Sequence, residues 1–508
     1  MNIRSLLLGS VAAAGISTGA YAADLGVLTS LDVCDALGLS GLTISSDTNC
    51  LQISGSVSYE FVWGDYKGNG SDAGGVGSIQ DARFADHRVG NVPGGNGRVT
   101  IAQPGFWQGA APNGPAVNND WSSKVEAWVK LVGSADTDFG RAQAIIVLRQ
   151  VEQSVVVNER QGNAVNNFWG DTLNGTADSY VGGDNTALQL DQAYVSVGDS
   201  TVLMAGLRKR NATGSIGNFG DDKPLNFTGL VNSNKVEHGV LVADEAGGFG
   251  GHSIQIVSDL GNGVSVGAGL ERLEGYNTAS WANAPDGAQA AANNAANAGT
   301  AIGVISYKGD GITAHATGWA LGVLDGNVDS YGFHVGATAV LDQVTVLGAA
   351  AYSYDTATLA YTFGALGSAQ AKFDIFTVAV SAEVTNQTVG NPGYGVGGSF
   401  GANVTDGVAI NVGGKWFRNG AGEDTAHGAA QIVASVTETI KLTGEVGVWY
   451  GSHSQAQAGA PAPTSVYYGA AEVAWTPGGA NNFSSSLKGE VYSNGAYKAT
   501  FKASKAFQ

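Results

Sequence analysis

Apolar and polar side chains alternate along residues 51–64, LQISGSVSYEFVWG. Apolar residues take most odd positions and end in Tyr59, Phe61 and Trp63, while serines, a glutamine and Glu60 take the even positions. Because successive side chains of a β-strand point to opposite faces, this pattern predicts a strand with one apolar and one polar face. Such a strand fits two environments: its apolar face meets a second sheet in a soluble sandwich, or lipid in a membrane barrel.

The same twofold pattern returns along the chain, and charged residues lie repeatedly on its polar row. Segments with this pattern are 124–132, 141–149, 441–450 and 496–507. A tilted strand needs roughly 9 to 11 residues to cross the hydrocarbon layer, and most of the predicted strands are near this length. The strand lengths are therefore compatible with a membrane wall.

Short and long connections between the predicted strands favour the membrane barrel. Short turn-forming sequences join strands in pairs: GDST (198–201), LGNG (260–263), KGDG (308–311), VLDQ (340–343) and VTDG (404–407). Longer polar stretches separate the pairs: 65–121, 151–186, 210–250, 275–300 and 452–465. This asymmetry is typical of outer-membrane proteins and predicts an all-β, transmembrane, antiparallel up-and-down barrel. We count about sixteen to twenty strands, depending on whether 236–243 and 371–384 belong to the wall.

Three aromatic residues lie at strand ends on the apolar row: Trp63, Tyr450 and Phe507. This placement predicts an aromatic girdle at the membrane interfaces. The alternative is that aromatic residues favour strands in any environment.

The N-terminus indicates export. One positive charge, Arg4, precedes an apolar stretch and the sequence Ala20-Tyr21-Ala22, which fits the cleavage pattern of a secretory signal. We therefore expect a signal peptide at 1–22, a periplasmic N-terminal segment at 23–50 and a barrel domain at 51–508. After residue 22 no run of about 18 apolar residues could span a membrane as a helix.

Composition narrows the choice of partners. The formal charge of −18 argues against a nucleic-acid partner, since phosphates need a basic surface. Seventy-seven glycines indicate many turns and long loops, and no Pro-rich or charged linker divides the chain into domains. We expect the outer-membrane lipid and lipopolysaccharide as surroundings.

The chain has two cysteines, Cys34 and Cys50, which lie just before the first predicted strand. In an oxidising periplasm this pair is expected to form a disulfide, which is worth roughly 3 kcal/mol. Free thiols or a metal site are the alternatives, but no histidine or second cysteine pair has ligand spacing nearby.

Several stretches resemble the general porins of alphaproteobacteria, the Rhizobiales-type family. The motif VCDALGLSG…TNCLQISGSVSYEF (33–61) carries the specific part of the resemblance, and DQAYVSVGDSTVLMAGLRK (191–209) and SIQIVSDLGNGVSVGAGLE (253–271) are similar to strands around that family's constriction loop. The resemblance implies a homotrimer of sixteen-stranded barrels, or eighteen-stranded given the long first loop (65–121). Each barrel would be a passive pore for small hydrophilic solutes and ions, narrowed by an inward-folded third loop.

On that resemblance the inward loop is 210–250, and it carries Asp221 and Asp222. The polar rows of the wall offer Lys124, Lys130, Arg141, Arg149 and Arg208 as opposing bases. Acids facing bases would create a transverse field at the constriction. The alternative is that these are scattered lumen charges and a solvated turn.

Other functions are weaker alternatives. A substrate-selective sugar channel would need a lumen row of aromatics such as Trp128 and Trp449, and a surface adhesin would not conduct. The sequence GGSFG around Ser399 matches a nucleophile motif, but no helix-forming run follows it. We therefore expect no enzyme activity, no metal and no cofactor.

Overall fold

A computed structural model provides the coordinates, and it describes a defined part of the chain. The described residues are 32–39, 41–65, 120–157, 165–166, 172–173, 179–183, 188–220, 223–227, 229–230, 248–275, 298–388, 391–418, 420, 422, 424–451, 465–477, 483–493 and 495–507. The predicted signal peptide, the predicted strand 236–243, and Asp221 and Asp222 lie outside these residues.

Strands dominate the described residues. One short helix, α1, spans Asp32–Ala36, and two 3₁₀ turns span Ala212–Gly214 and Val323–Asp325. The strands are β1 Leu42–Ser45, β2 Cys50–Asp65, β3 Asp120–Thr137, β4 Gly140–Val157, β5 Val165–Asn166, β6 Thr172–Leu173, β7 Ser179–Gly183, β8 Gln189–Val197, β9 Thr201–Leu207, β10 His252–Gly261, β11 Val264–Glu271, β12 Thr300–Gly309, β13 Ile312–Leu321, β14 Ser330–Leu341, β15 Val344–Asp355, β16 Ala360–Phe373, β17 Phe376–Gln387, β18 Gly393–Thr405, β19 Val408–Arg418, β20 Asp424–Ser435, β21 Ile440–Gly451, β22 Ser465–Trp475, β23 Phe483–Tyr492 and β24 Tyr497–Phe507. No helix in the described part of the chain has the length and apolar character needed to cross a bilayer.

Twenty of the described strands close into one antiparallel barrel. The wall runs β2, β3, β4 and then β8 to β24 in chain order, and β24 pairs with β2 to close it. The predicted antiparallel barrel is therefore confirmed, but the predicted number of sixteen or eighteen strands is wrong. The doubtful segment 371–384 belongs to the wall, because it forms the hairpin of β16 and β17. Glycine-rich strands such as β18, GYGVGGSFGANVT, alternate too weakly for a reliable count from sequence.

Tight turns join strand pairs at one end of the barrel, which we call the short-turn end. Asn262–Gly263 and Asp310–Gly311 have positive φ at both positions (53° and 78°, 38° and 78°). Two consecutive positive φ values define the hairpin turn whose twist matches the strands, and Asn-Gly and Asp-Gly favour it. The predicted turns at 198–201, 260–263, 308–311, 340–343 and 404–407 all lie at this end.

The outward face is apolar, as the alternation predicted. Four valines in the inner part of their strands are 48–62% exposed, and their cross-strand partners are Ala, Gly, Phe or Trp: Val380, Val396, Val412 and Val446. Polar neighbours on the same strands point the other way, as Asn411 and Glu445 do beside Val412 and Val446. An apolar band that encircles a closed barrel is what a lipid environment requires.

The N-terminal residues are tied to the start of β2. Cys34 and Cys50 form a disulfide with a Cα–Cα distance of 5.0 Å, which confirms the predicted bridge. β1 pairs with β2 from Leu42 opposite Ile53 to Ser45 opposite Cys50. This pairing covers the edge of β2 that extends past Phe507, the end of β24.

The two faces of β19 provide a direct test. Val412→Arg puts a charge into the outward apolar band, and we expect it to lower the free energy of unfolding in bilayers by about 2–4 kcal/mol. Asn411→Arg, one residue earlier and on the inward face, is the matched control and should cost clearly less, because it leaves the lipid-facing band unchanged. Equal losses in urea titrations of the two variants would contradict the assigned faces.

Candidate functional site

Within the segment that follows β9, residues 208–220, 223–227, 229 and 230 run along the inner wall of the barrel, and we call these residues the belt. Backbone amides and one side-chain amide of the belt donate hydrogen bonds to polar side chains on five wall strands: β13, β16, β17, β18 and β21. These hydrogen bonds are Asn218 N to Thr317 Oγ1 (2.9 Å), Leu225 N to Ser368 Oγ (3.0 Å), Asn226 Nδ2 to Ser381 Oγ (3.0 Å), Phe227 N to Ser399 Oγ (3.2 Å) and Leu230 N to Glu445 Oε2 (2.6 Å). All five acceptors lie on the row opposite to the exposed apolar one, so the belt is inside the barrel.

Apolar side chains of the belt dock into apolar patches on the inner wall. Ile216 and Phe219 pack against a buried cluster of Phe249, Ile302, Trp319 and Leu321. Leu225 packs against Leu347, Ala349, Ala351 and Leu366, and Leu230 against Trp449, Val466, Tyr468, Ala470, Tyr492 and Ala496. The belt therefore covers inward apolar surface that would otherwise face the lumen.

Two carboxylates hold the root of the belt. Glu271, with no exposed surface, accepts hydrogen bonds from Ser215 Oγ (3.0 Å), Ile216 N (3.0 Å) and Gly250 N (2.8 Å). Glu274 accepts one from His252 N (2.7 Å) and forms ion pairs with Arg210 and Arg272 at 3.2 Å. These contacts join the segment that leaves the wall after β9 to the segment that returns to it at β10.

A third carboxylate, Glu445 on β21, holds the far end of the belt. Besides Leu230 N, it accepts hydrogen bonds from Gln431 Nε2 (3.0 Å) and Tyr468 Oη (2.9 Å). Lys488 Nζ donates to the Leu230 carbonyl at 3.1 Å. Since Glu445 is 3% exposed, its side-chain oxygens obtain their hydrogen bonds from these donors rather than from water.

Charged side chains of alternating sign form a row on the inner faces of β24, β2, β3 and β4. The row consists of Lys502, Glu60, Lys124, Glu126 and Arg149. Lys502 Nζ lies 2.7 Å from Glu60, Lys124 Nζ 3.0 Å from Glu126, and Arg149 Nε 2.8 Å from the same Glu126. Glu60 stands in register between Lys502 and Lys124. We call these five residues the charged row.

The charged row presents more basic than acidic surface. Side-chain exposure is 59% for Lys502, 36% for Lys124 and 35% for Arg149, against 38% for Glu60 and 23% for Glu126. The described contacts of the belt reach wall strands from β8, where Arg208 lies above Tyr194, to β23, where Lys488 donates to the Leu230 carbonyl. The row lies on the strands on either side of the β24–β2 junction. The two features therefore occupy different arcs of the inner wall.

The predicted constriction residues lie at different places. Lys124 and Arg149 belong to the charged row, and Lys130 lies on the same inward row of β3, in register with Val147. Arg208 lies at the belt root, 4.2 Å above the Tyr194 ring. Arg141 lies at the short-turn end and donates to the Leu37 carbonyl (2.8 Å). Four of the five predicted bases thus lie on the arc of β3 and β4, with Arg141 at its short-turn end.

Several residues of this interior were not predicted as site residues. Glu60, Glu126 and Lys502 appear in the sequence as polar-row residues, but their partners depend on strand register. Glu271 and Glu445 give no local signal, because their role depends on a belt distant in the chain. Inward apolar residues such as Ile302 and Tyr468 are detectable in the sequence, because the strands that carry them have apolar side chains on both faces.

The predicted girdle residues lie on the outward face. Trp63, Tyr450 and Phe507 are 42%, 43% and 42% exposed. Trp63 and Tyr450 lie towards the long-loop end and Phe507 at the short-turn end. An interfacial role for these three residues remains a prediction.

Two residues considered for other functions have structural contacts. Ser399 lies within β18, with a turn and another strand after it, and its hydroxyl accepts the Phe227 amide. Trp449 is 4% exposed and stacks on His427 with ring centroids 4.0 Å apart. In the described residues no group of His, Cys, Asp or Glu has an arrangement suited to a metal ion.

Comparisons with known proteins give a short but clear sequence match. No protein-family model matches the chain. Over 91 residues, 17% of this chain, it is 44% identical to the porin Omp2a of Brucella ovis and 42% identical to the porin Omp2b of Brucella canis. The match spans only about a quarter of the length of these relatives, 26% and 25%.

Similarity to solved structures is weak in sequence and in superposition. The anion-selective porin from Comamonas acidovorans is 10% identical with a TM-score of 0.35, over 90% of this chain and all of that one. A mutant porin of Rh. blastica is 11% identical with a TM-score of 0.32, over 90% of this chain and all of that one. The sequence match confirms the resemblance to alphaproteobacterial porins, and the chain is a bacterial outer-membrane β-barrel protein similar to that family.

Proposed function

We propose that the protein is a porin, a passive water-filled channel for small hydrophilic solutes and ions. The observation that carries this proposal is the inner wall of the barrel, where the charged row faces the lumen while the outward row is apolar. Ionised side chains inside a closed barrel need water or partners, and those of the row are only partly covered. A barrel of twenty strands is also too wide for wall side chains to fill.

The passage runs beside the charged row, on the arc that the described belt bonds do not reach. Lys124, Arg149 and Lys502 present bases there, with Lys130 lower on β3. Asp221 and Asp222 belong to the loop that contains the belt and would supply the opposing acids of a transverse field. Such a field orients dipolar solutes and disfavours apolar ones.

The surroundings of the channel follow from the same proposal. Residues 1–22 direct export, 23–50 lie in the periplasm and 51–508 form the barrel, with the short-turn end periplasmic and the long loops outside. Three copies assemble in lipid and lipopolysaccharide. No catalytic step is required. A sugar-selective channel has less support, since Trp449 is buried against His427 and offers no lumen surface.

Planar bilayers test the function and the charged row together. The folded protein should form ion-conducting channels and migrate differently on gels before and after heating. Lys502→Gln removes one exposed base from the lumen, so the reversal potential in a salt gradient should shift towards cation preference. The shift should shrink between 0.1 M and 1 M salt, because the screening length falls from about 10 to about 3 Å.

Lys505→Gln is the matched control for Lys502→Gln. It removes the same charge from the same strand, but position 505 lies on the outward row, opposite Val57. The reversal potential of the Lys505→Gln channel should equal that of the wild-type channel. Absence of conductance from the folded wild-type protein would contradict the channel, and equal shifts in both variants would contradict the role of the row.

The hydrogen bond between Glu445 and the Leu230 amide of the belt leads to a separate prediction. Glu445→Ala leaves the Leu230 amide and two buried side-chain donors without their acceptor, and each unsatisfied donor costs about 1–3 kcal/mol. We expect a larger and noisier single-channel conductance, because the far end of the belt is released. Ser399→Ala removes only one belt bond, worth about 1 kcal/mol, and should conduct like the wild type. A quiet, unchanged conductance in Glu445→Ala would show that this carboxylate does not set the pore width.

A further inference from the structure

The lumen side of the barrel carries additional chain at the periplasmic ends of β2 and β3. Cys50 and Ser134 face each other in register on the inward row, and they are 0% and 1% exposed. At Cys50 the cover comes from residues 32–39 and 41–50, which we call the N-terminal segment. Cys34 and Leu37 of this segment are buried with Cys50 in one cluster, flanked by Val33 and Leu39.

Arg141 extends this cover to β4. Its side chain lies on the inward row, two positions before Gln143, and its Nη2 donates to the Leu37 carbonyl at 2.8 Å. The Arg141 amide donates to Asp199 Oδ1 (3.2 Å) in the neighbouring turn, which fixes the start of β4. The N-terminal segment therefore spans the inner rim from β2 to β4.

The N-terminal segment is fixed at three points. The Cys34–Cys50 disulfide joins α1 to β2, the Arg141 hydrogen bond joins it to β4, and β1 pairs with β2 directly beyond the end of β24. The β24, β2, β3 and β4 strands that carry the charged row thus lead down to a periplasmic rim that this segment covers. A solute that moves along the row towards the short-turn end therefore arrives beside the segment.

We propose that the N-terminal segment forms a second restriction of the pore, at its periplasmic mouth. This inference rests on the proposed channel function. It assigns the size limit to two elements in series: the belt with the charged row inside the barrel, and the disulfide-closed segment below them. Arg141, predicted as a constriction residue, acts in this second restriction by holding Leu37 against the rim.

Polymer exclusion in planar bilayers locates the restriction. Polyethylene glycols of graded size are added to one side of single channels, and the largest size that still lowers the conductance is recorded for each side. The main variant lacks residues 32–39 and carries Cys50→Ser. It should admit larger polymers than the wild type from one side only, with an unchanged limit from the other side and a higher conductance.

Reduction of inserted wild-type channels is the second arm, and it requires no refolding. A water-soluble phosphine opens the disulfide, maleimide labelling confirms the free thiols, and the one-sided limit should rise as in the deletion variant. The double variant Cys34→Ser/Cys50→Ser is the control, because it should show the raised limit without reductant and no response to it. If the deletion variant does not fold, the reduction arm decides.

The outcomes separate this inference from the proposed function. Channels whose polymer limits stay the same from both sides, after deletion or confirmed reduction, overturn the second restriction and leave the porin intact. A limit that rises equally from both sides also overturns it, since the change would then lie in the barrel. A folded wild-type protein that forms no channel contradicts the porin proposal itself.

Discussion

The pairing of β24 with β2 is the contact on which the rest of the structure depends. Within a bilayer an unpaired backbone amide or carbonyl costs several kcal/mol, so a sheet is stable there only when it has no open edge. The register from Gly55 opposite Phe507 to Asp65 opposite Tyr497 removes that edge, and β1 covers the remaining start of β2. Closure also fixes which row faces lipid and which faces the lumen.

Closure creates an interior that the wall alone does not fill. The inner wall carries apolar patches, and Ile216, Phe219, Leu225 and Leu230 of the belt pack against them. Burying a large apolar side chain stabilises by up to roughly 1.5–3 kcal/mol, and each belt hydrogen bond adds about 0.5–1.5 kcal/mol. These contributions oppose the conformational entropy lost when the belt residues become ordered, which is about 1–2 kcal/mol per residue, and they hold the described belt residues against the wall.

The features that could be read from the sequence are those set by neighbouring residues. Alternation predicts the faces of β2 and β21, and Asn262–Gly263 and Asp310–Gly311 predict their turns, because both depend on backbone geometry within a few residues. The disulfide follows from a pair of cysteines in a chain that is expected to be exported to an oxidising compartment. The strand number failed because Gly-rich strands such as β18 carry little alternation.

The features that could not be read depend on residues far apart in the chain. Alternation predicts that Lys124, Arg141 and Arg149 face the lumen, but it does not predict their positions along the barrel axis. The structure places Arg141 at the short-turn rim, away from Lys124 and Arg149. The partner of Lys502 is Glu60 only in one strand register, and a one-residue slip would turn it towards lipid. Glu271 and Glu445 acquire their roles only once the belt is in place.

The central claim is that adjacent side chains of β24 face two different solvents. Both native cysteines are in a disulfide and do not react with thiol reagents, so any labelling comes from the single cysteine introduced at 501 or 502. In bilayers, a membrane-impermeant thiol reagent should modify Lys502→Cys and lower the conductance, and should leave Phe501→Cys unmodified. Equal modification of both positions, or modification of position 501 alone, would contradict the account.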